Sequence, residues 1–513
     1  MTRGPWPDLW NGSDRELGTG VGRDGMTARG LVAGVDCSTQ GTKVVIVDPD
    51  SGAVVGRGQA SHEVTGQDGA RETDPRAWWT ALRTALQAGI AASGRAGQVG
   101  AISVGGQQHG LVVLDEQGLP LRDAMLWNDT RAADDAVRLT ERLGPESWAN
   151  LTGLRPVASF TVAKWAWLRR VEPGLASAAA AIRLPHDYLT ERLTGRGTTD
   201  RGDASGTGWW SPRTGAYVGE VLDLAEVELD PRLLPAVAGP TERVGEVGPA
   251  VADELGLGAG TIVGPGTGDN MAAALGLGLS TGQPVMSLGT SGTVFAVSDR
   301  PAADPTGIVA GFADANGRFL PLAATLNCTL AVDRVVGWLR LDRDDVAPAG
   351  SVVALPYLDG ERTPDLPGAS GTLTGLRHAT TPQQILTAAY EGAVISLLEA
   401  LDAIGDAAGG LRADAPLILV GGGSRGRTWR EVVGRLSGRP LVIPDLDEAV
   451  AVGAAVQAAA VWRSESPVDV ARRWRTDAGT VIEPRPIDEP RLAENRAVRE
   501  AAGGRGALPG FAR

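Results

Sequence analysis

Residues 264–271 read GPGTGDNM: three glycines lead to one carboxylate, Asp269, and a small-residue run follows. An acid at such a place has two readings. It caps a helix by accepting orphan backbone N–H groups, or it is a positioned base that takes a proton from a hydroxyl group. Two further stretches suggest what such a base would serve. Residues 36–42 read DCSTQGT and residues 287–293 read SLGTSGT, about half a chain apart. Thr39, Gly41 and Thr42 recur as Thr290, Gly292 and Thr293, and Ser38 stands opposite Gly289. Each stretch lies between two apolar runs, so the pair reads as a duplicated strand–turn–strand unit. Small residues let backbone amides approach an anion closely, and the threonines add hydroxyl donors. The copies differ where Asp36 faces Ser287, and one carboxylate is enough to hold a metal together with phosphates.

A third glycine turn lies at Gly421-Gly422-Gly423-Ser424-Arg425-Gly426, between an apolar run and a helical one, with Asp445 roughly 20 residues on. Alone it would indicate an NAD-dependent dehydrogenase. Its position after two phosphate-type turns, and the Ala/Gly-rich helix expected over 447–460, suit an adenosine-containing nucleotide such as ATP equally well. A second match to that pattern, Gly20 to Gly25, has no strand before it, and no GxxxxGK[ST] loop occurs. His109, in GGQQHG, offers imidazole beside amides for sugar hydroxyls, although a lone His after a strand is ordinarily a packing residue. Trp127 and Asn128 suit the same pocket, with Trp127 equally readable as core. Glu361 and Arg362 read as a salt-bridged pair, and Asp203 is left open, a turn Asx residue being one reading.

These residues need elements to position them. LVAGVD (31–36) and KVVIVD (43–48) form a hairpin, and Asp74-Pro75 opens a helix with an N-cap and a first-turn proline. Strands are expected at 101–106, 111–116 and 261–266, and a helical, loop-rich region between 130 and 240. A chain of 513 residues holds two domains or more. The net charge of −13 argues against nucleic acid or an anionic membrane as the main partner. Two cysteines are too few for a disulfide scaffold, and none of the four histidines has zinc-type spacing. No apolar run reaches about 20 residues. The Gly/Pro-rich segment 1–29 reads as disordered, with Met26 an alternative start. Forty-eight residues are Lys or Arg, and the only lysines are Lys43 and Lys164, a bias that reads as codon usage.

Taken together, GVDCSTQGTK (34–43), GGQQHG (105–110), LWNDTR (126–131), LPHDYL (184–189), TTDRGDASGT (198–207), GTGDN (266–270), SLGTSG (287–292), LPYLDGERTP (355–364) and VGGGSRGRTWR (420–430) resemble the FGGY carbohydrate kinases, over roughly residues 31–465. GGQQHG, LPHDYL and LPYLDGERTP resemble the branch that phosphorylates D-xylulose. The resemblance implies an α/β, two-domain, actin-like (ribonuclease-H-like) ATPase fold with a central cleft. It implies a disordered extension at 1–29, a sugar-binding and catalytic domain at 30–280, an ATP-binding domain at 281–484 and a tail at 485–513. It implies a cytoplasmic, Mg2+-dependent transfer of phosphate from ATP to the terminal hydroxyl of D-xylulose, and leaves room for a homodimer. Asp269 would be the general base. Gln108, His109 and Asn270 would join it at the sugar. Asp36 would serve the metal. Ser38, Thr39, Gly289, Thr290, Gly421, Gly422 and Ser424 would hold ATP. Ser38 stands where many relatives have Gly, and Gln108 where some have Met, which leaves other ketoses, polyols or gluconate as alternative acceptors. An NAD-dependent dehydrogenase and a non-enzymatic nucleotide switch are the readings outside the kinases.

Overall fold

The computed structural model describes residues 30–504, residue 367 excepted. The 1–29 extension, the Gly20 to Gly25 pattern and the end of the tail lie outside the described residues. Two seven-stranded sheets share one plan. In the first, Leu31–Cys37, Gly41–Val47 and Val54–Ser61 form an antiparallel meander, and Val99–Gly106 and then Ile262–Val263 extend it in parallel beside Leu31–Cys37. In the second, Pro284–Leu288, Gly292–Ala296 and Phe319–Thr325 form the meander, and Leu417–Val420 and Leu441–Pro444 extend it in parallel. The duplication read from two turns is therefore a duplication of whole sheets. The pairing differs by one residue: Cys37 faces Thr42, leaving four residues between them, whereas Leu288 faces Gly292, leaving three.

Each sheet is backed by a helix that connects its meander to its parallel strands. Pro75–Ser93 starts at Asp74, whose side chain accepts from Arg76 N, and stops at Gly94 with φ 65°. Trp78, Leu82, Ala85 and Leu86 are fully buried in the core of the first sheet. Pro382–Ala408 starts with a Thr381–Gln384 capping box. It is long and apolar enough to span a membrane, yet it is the core helix of the second half, burying Leu386, Tyr390 and Leu397.

The Ala/Gly-rich helix expected over 447–460 spans Ala449–Arg463. It returns to the first sheet and packs on Val32, Val45 and Ala101, and on the helix Asp269–Gly276. Glycines make the approach close: a Cβ on Gly34 would stand 1.9 Å from Ala451 O, and one on Gly453 1.8 Å from Ala272 O. The two halves are thus joined by a tightly packed crossing as well as by the chain. The segment after 485 is also more than a tail, because helix Glu489–Gly504 docks Arg491 on Glu391 at 2.5 Å.

Candidate active site

The site forms where parallel strands of the first sheet end. Asp36 pairs with Gly105 and Cys37 with Gly106; on the other side of that strand Thr267 pairs with Gly105 and Gly268 with Gly106. Asp36, the Gly105–His109 turn and Asp269 therefore emerge from three adjacent strands at one edge, where ligands bind in open α/β sheets. Asp269 is the first residue of its helix, and Gly268 holds the N-cap. This corrects the capping reading. Its Oδ1 accepts from Asn270 N at 2.8 Å and Asn270 Nδ2 at 2.9 Å. Gly268 is needed for contact rather than for φ, since a Cβ there would lie 2.7 Å from Gln108 Cγ.

Asp269 is half-buried, and its carboxyl is pushed up to about 7 by desolvation first and by the neighbouring Asp203 second. Asp36 is also raised to about 7, by burial and then by Asp269, with Lys43 acting in the opposite direction. Its Oδ1 is buried without a hydrogen-bond partner, as are Gln108 Nε2, His109 Nδ1 and Asn128 Oδ1. Buried polar atoms are ordinarily hydrogen-bonded, so each of these has capacity for a further partner.

His109 has φ 67°, the left-handed region, which costs a non-glycine residue roughly 1–2 kcal/mol. Its ring meets Phe160 edge-on at 5.0 Å and Phe312, from the second half, at 5.5 Å. Burial, then Lys164 and Arg362, hold the imidazole well below its usual range and hence neutral.

Trp127 is exposed, not core, and donates to Thr39 Oγ1 at 3.0 Å. Ser38 Oγ donates to Gly41 O at 2.8 Å, so its hydroxyl closes the turn, and its N–H makes the same closure at 3.0 Å. In the second half Thr329 binds Gly289 O through both N–H and hydroxyl, and Leu330 N donates to Thr290 O. Gly421 has φ 82°, and a Cβ there would stand 2.8 Å from Leu288 O. The glycine turn is thereby pressed on the second hairpin, with Ser424 Oγ closing it on Gly421 O at 2.8 Å. A 3₁₀ turn, Gly422–Arg425, separates strand from helix. Two ion pairs on the 445–448 loop connect the turns: Lys43–Glu448 at 2.9 Å reaches the first hairpin and Arg425–Asp447 at 2.9 Å the glycine turn.

Glu361 and Arg362 are not an ion pair: Glu361 accepts from the Leu326, Asn327 and Arg362 amides, and Arg362 acts on His109 electrostatically. Asp203 is no turn residue. Its Oδ2 lies 2.7 Å from His186 Nδ1 in a fully buried cluster with Asp187, while Asp200 caps the short helix Arg201–Ala204. His186 is raised to about 9, the carboxylates outweighing desolvation. LPHDYL and TTDRGDASGT hold these residues, but nothing in either stretch shows that they meet.

Two duplicated α/β halves around a cleft, with phosphate-type turns and a lone acid, define a two-domain ATPase of the sugar-kinase class. The description "FGGY family of carbohydrate kinases, N-terminal domain" matches residues 31–276, and its C-terminal counterpart matches residues 285–462. The chain belongs to the FGGY family of carbohydrate kinases, and it is a phosphotransferase that uses ATP. It is 59% identical to a xylulose kinase of Streptomyces coelicolor over 90% of this chain and 94% of that one. It is 32% identical to the xylulose kinase of Escherichia coli K12 over 80% and 86%. The crystal structure of a xylulose kinase from Bifidobacterium adolescentis superposes with a TM-score of 0.79 at 34% identity, covering 92% of this chain and 99% of that one. Membership in this family removes the dehydrogenase and nucleotide-switch readings.

Proposed function

We propose that this enzyme transfers the γ-phosphoryl group of ATP to the terminal hydroxyl of D-xylulose, giving D-xylulose 5-phosphate, with Asp269 as general base. The choice of sugar rests on similarity to xylulose kinases over nine-tenths of the chain. The base role rests on one observation above all. Asp269 is the carboxylate that leads the helix at the end of these strands, with Oδ1 committed to Asn270, which also holds Gln108. Phosphoryl transfer needs alignment and charge stabilisation more than covalent help from the protein. Gln108, His109 and Asn270 orient the sugar, with Gln108 Nε2 left to bond a hydroxyl. Ser38, Thr39, Gly289 and Thr290 bring turn backbone to the phosphates, and Gly421, Gly422 and Ser424 border the adenosine. The orphaned Oδ1 of Asp36 fits Mg2+, a hard cation that takes oxygen ligands. The cation, when bound, neutralises charge on the phosphates. Two buried, unbridged cysteines accord with a cytoplasmic enzyme.

The test is ADP release across a panel of pentuloses, pentitols, glycerol and gluconate. D-Xylulose is expected to give the highest kcat/KM. A polyol or gluconate preferred over every ketose would overturn the assignment of substrate.

A further inference from the structure

Of 48 basic residues only Lys43 and Lys164 are lysine. The first lies in the salt bridge at the cleft. The second is fully buried on helix Thr161–Val171, where its Nζ donates to His109 O at 3.2 Å and also to Ser159 O. Thr161 Oγ1 donates to the same His109 carbonyl at 3.3 Å. We propose that Lys164 is a positioning residue for the sugar site, gripping the His109 carbonyl so that the residue keeps its left-handed backbone and its ring stays between Phe160 and Phe312. This rests on the reading that His109 contacts the sugar.

The chemistry asks for lysine. A tetrahedral ammonium donates to converging carbonyls in a space enclosed by protein, whereas the flat guanidinium carries five donors in a fixed fork. Arginine stands at every basic position other than Lys43 and Lys164, so its absence here is informative. Burying an unpaired cation is costly, and Lys164 has no carboxylate in hydrogen-bond contact among the described residues. The charges around it are few. Asp129 acts from a distance and is held by Arg131, which also binds Glu72. Asp135, on the neighbouring helix Ala133–Leu143, is taken by Arg138 and Arg170. Arg362 is a second cation acting on His109. Desolvation accordingly pushes the Lys164 ammonium down to about 7, with Asp129 opposing. Such a cost persists where the geometry it secures is needed. Its charge has a second effect: it helps keep His109 neutral, with one nitrogen able to accept from a sugar hydroxyl.

With two lysines in the chain, protein grown with lysine labelled with 13C at Cε gives two side-chain signals, which the Lys164→Met variant assigns. The Lys164 signal is expected to titrate near pH 7 in the wild type, and to shift when D-xylulose saturates the enzyme but not when ATP alone does. Lys164→Met is expected to raise KM for D-xylulose about tenfold or more while KM for ATP stays within about twofold, a tenfold change being 1.4 kcal/mol. Lys164→Arg is expected to fail likewise, since charge alone does not replace the geometry. A Lys164 signal that ignores the sugar, or a folded Lys164→Met enzyme with unchanged KM for D-xylulose, overturns the proposal. His109→Asn separates the two layers. If it raises that KM while Lys164→Met does not, only the lysine's role fails. If it too is without effect, the sugar-site reading fails and takes the proposal with it.

Discussion

Asn270 Nδ2 donates to Gln108 Oε1 at 3.1 Å, joining two residues 162 positions apart at the floor of the cleft. The bond orients the Gln108 amide and leaves its Nε2 buried and unpartnered. A sugar hydroxyl satisfies that donor. Gln108→Met keeps similar bulk and removes both bonds. KM for D-xylulose is expected to rise by roughly 2–13-fold, the equivalent of one net hydrogen bond, 0.5–1.5 kcal/mol. Discrimination against a sugar lacking the bonded hydroxyl should weaken in parallel, which steady-state kinetics with deoxy analogues would reveal.

Asp269 must be ionised to accept a proton, and its carboxyl is raised to about 7. The kcat/KM of the wild type is therefore expected to fall as pH falls through about 7. Asp269→Asn should lose roughly 10²–10⁴-fold in turnover while ATP still binds. Stability moves the other way. A carboxyl with a raised folded pKa binds more protons folded than unfolded between the ordinary value and about 7, so it weakens the fold as pH rises through that window. Asp36, Asp203 and Asp269 all contribute in this direction. Asp269→Asn is thus expected to melt higher than the wild type at pH 8 without ligands. Calorimetry showing a lower Tm would contradict the assigned environment.

The parts of this site legible in the sequence are those encoded within a few residues. The hairpins at 36–42 and 287–293 announce themselves by alternating apolar runs and small turn residues. The glycine turn at 421–426 does so by strand–turn–helix order. Contacts between distant segments carry no such local signal. The meeting of His186 with Asp203 and the grip of Lys164 on His109 depend on where helices dock. The 447–460 run illustrates the limit: its alanines and glycines state that it packs closely, but not that it packs on Asp269–Gly276. For Asp269 the residues alone left cap and base both open, because the glycine before it is equally able to hold the N-cap, as it does here.

Gly421 gives a test of the nucleotide side. At φ 82°, and with Leu288 O 2.8 Å from any Cβ, alanine there strains the backbone and pushes the turn off the second hairpin. Gly421→Ala is expected to raise KM for ATP at least several-fold. D-Xylulose binding, followed by calorimetry without nucleotide, should stay near wild type. Equal loss of both affinities would mean that the turn supports the fold as a whole rather than the adenosine.

The crossing of helices Asp269–Gly276 and Ala449–Arg463 couples packing to the base. A Cβ on Gly276 would lie 1.9 Å from Ala449 O, and one on Gly453 1.8 Å from Ala272 O, so backbone meets backbone with no flexible side chain to yield. Gly453→Val must separate the helices. Overpacking of this kind costs about 1–3 kcal/mol, which a shifted denaturation midpoint would show. The helix it displaces begins at Asp269, and a misplacement of about 1 Å at a reacting group can cost up to about 10²-fold in rate. Turnover is therefore expected to fall well beyond what the lost folded fraction explains, at a temperature where the variant is fully folded. Activity that tracks the folded fraction alone would show that the crossing holds the two halves together without setting the position of the acid.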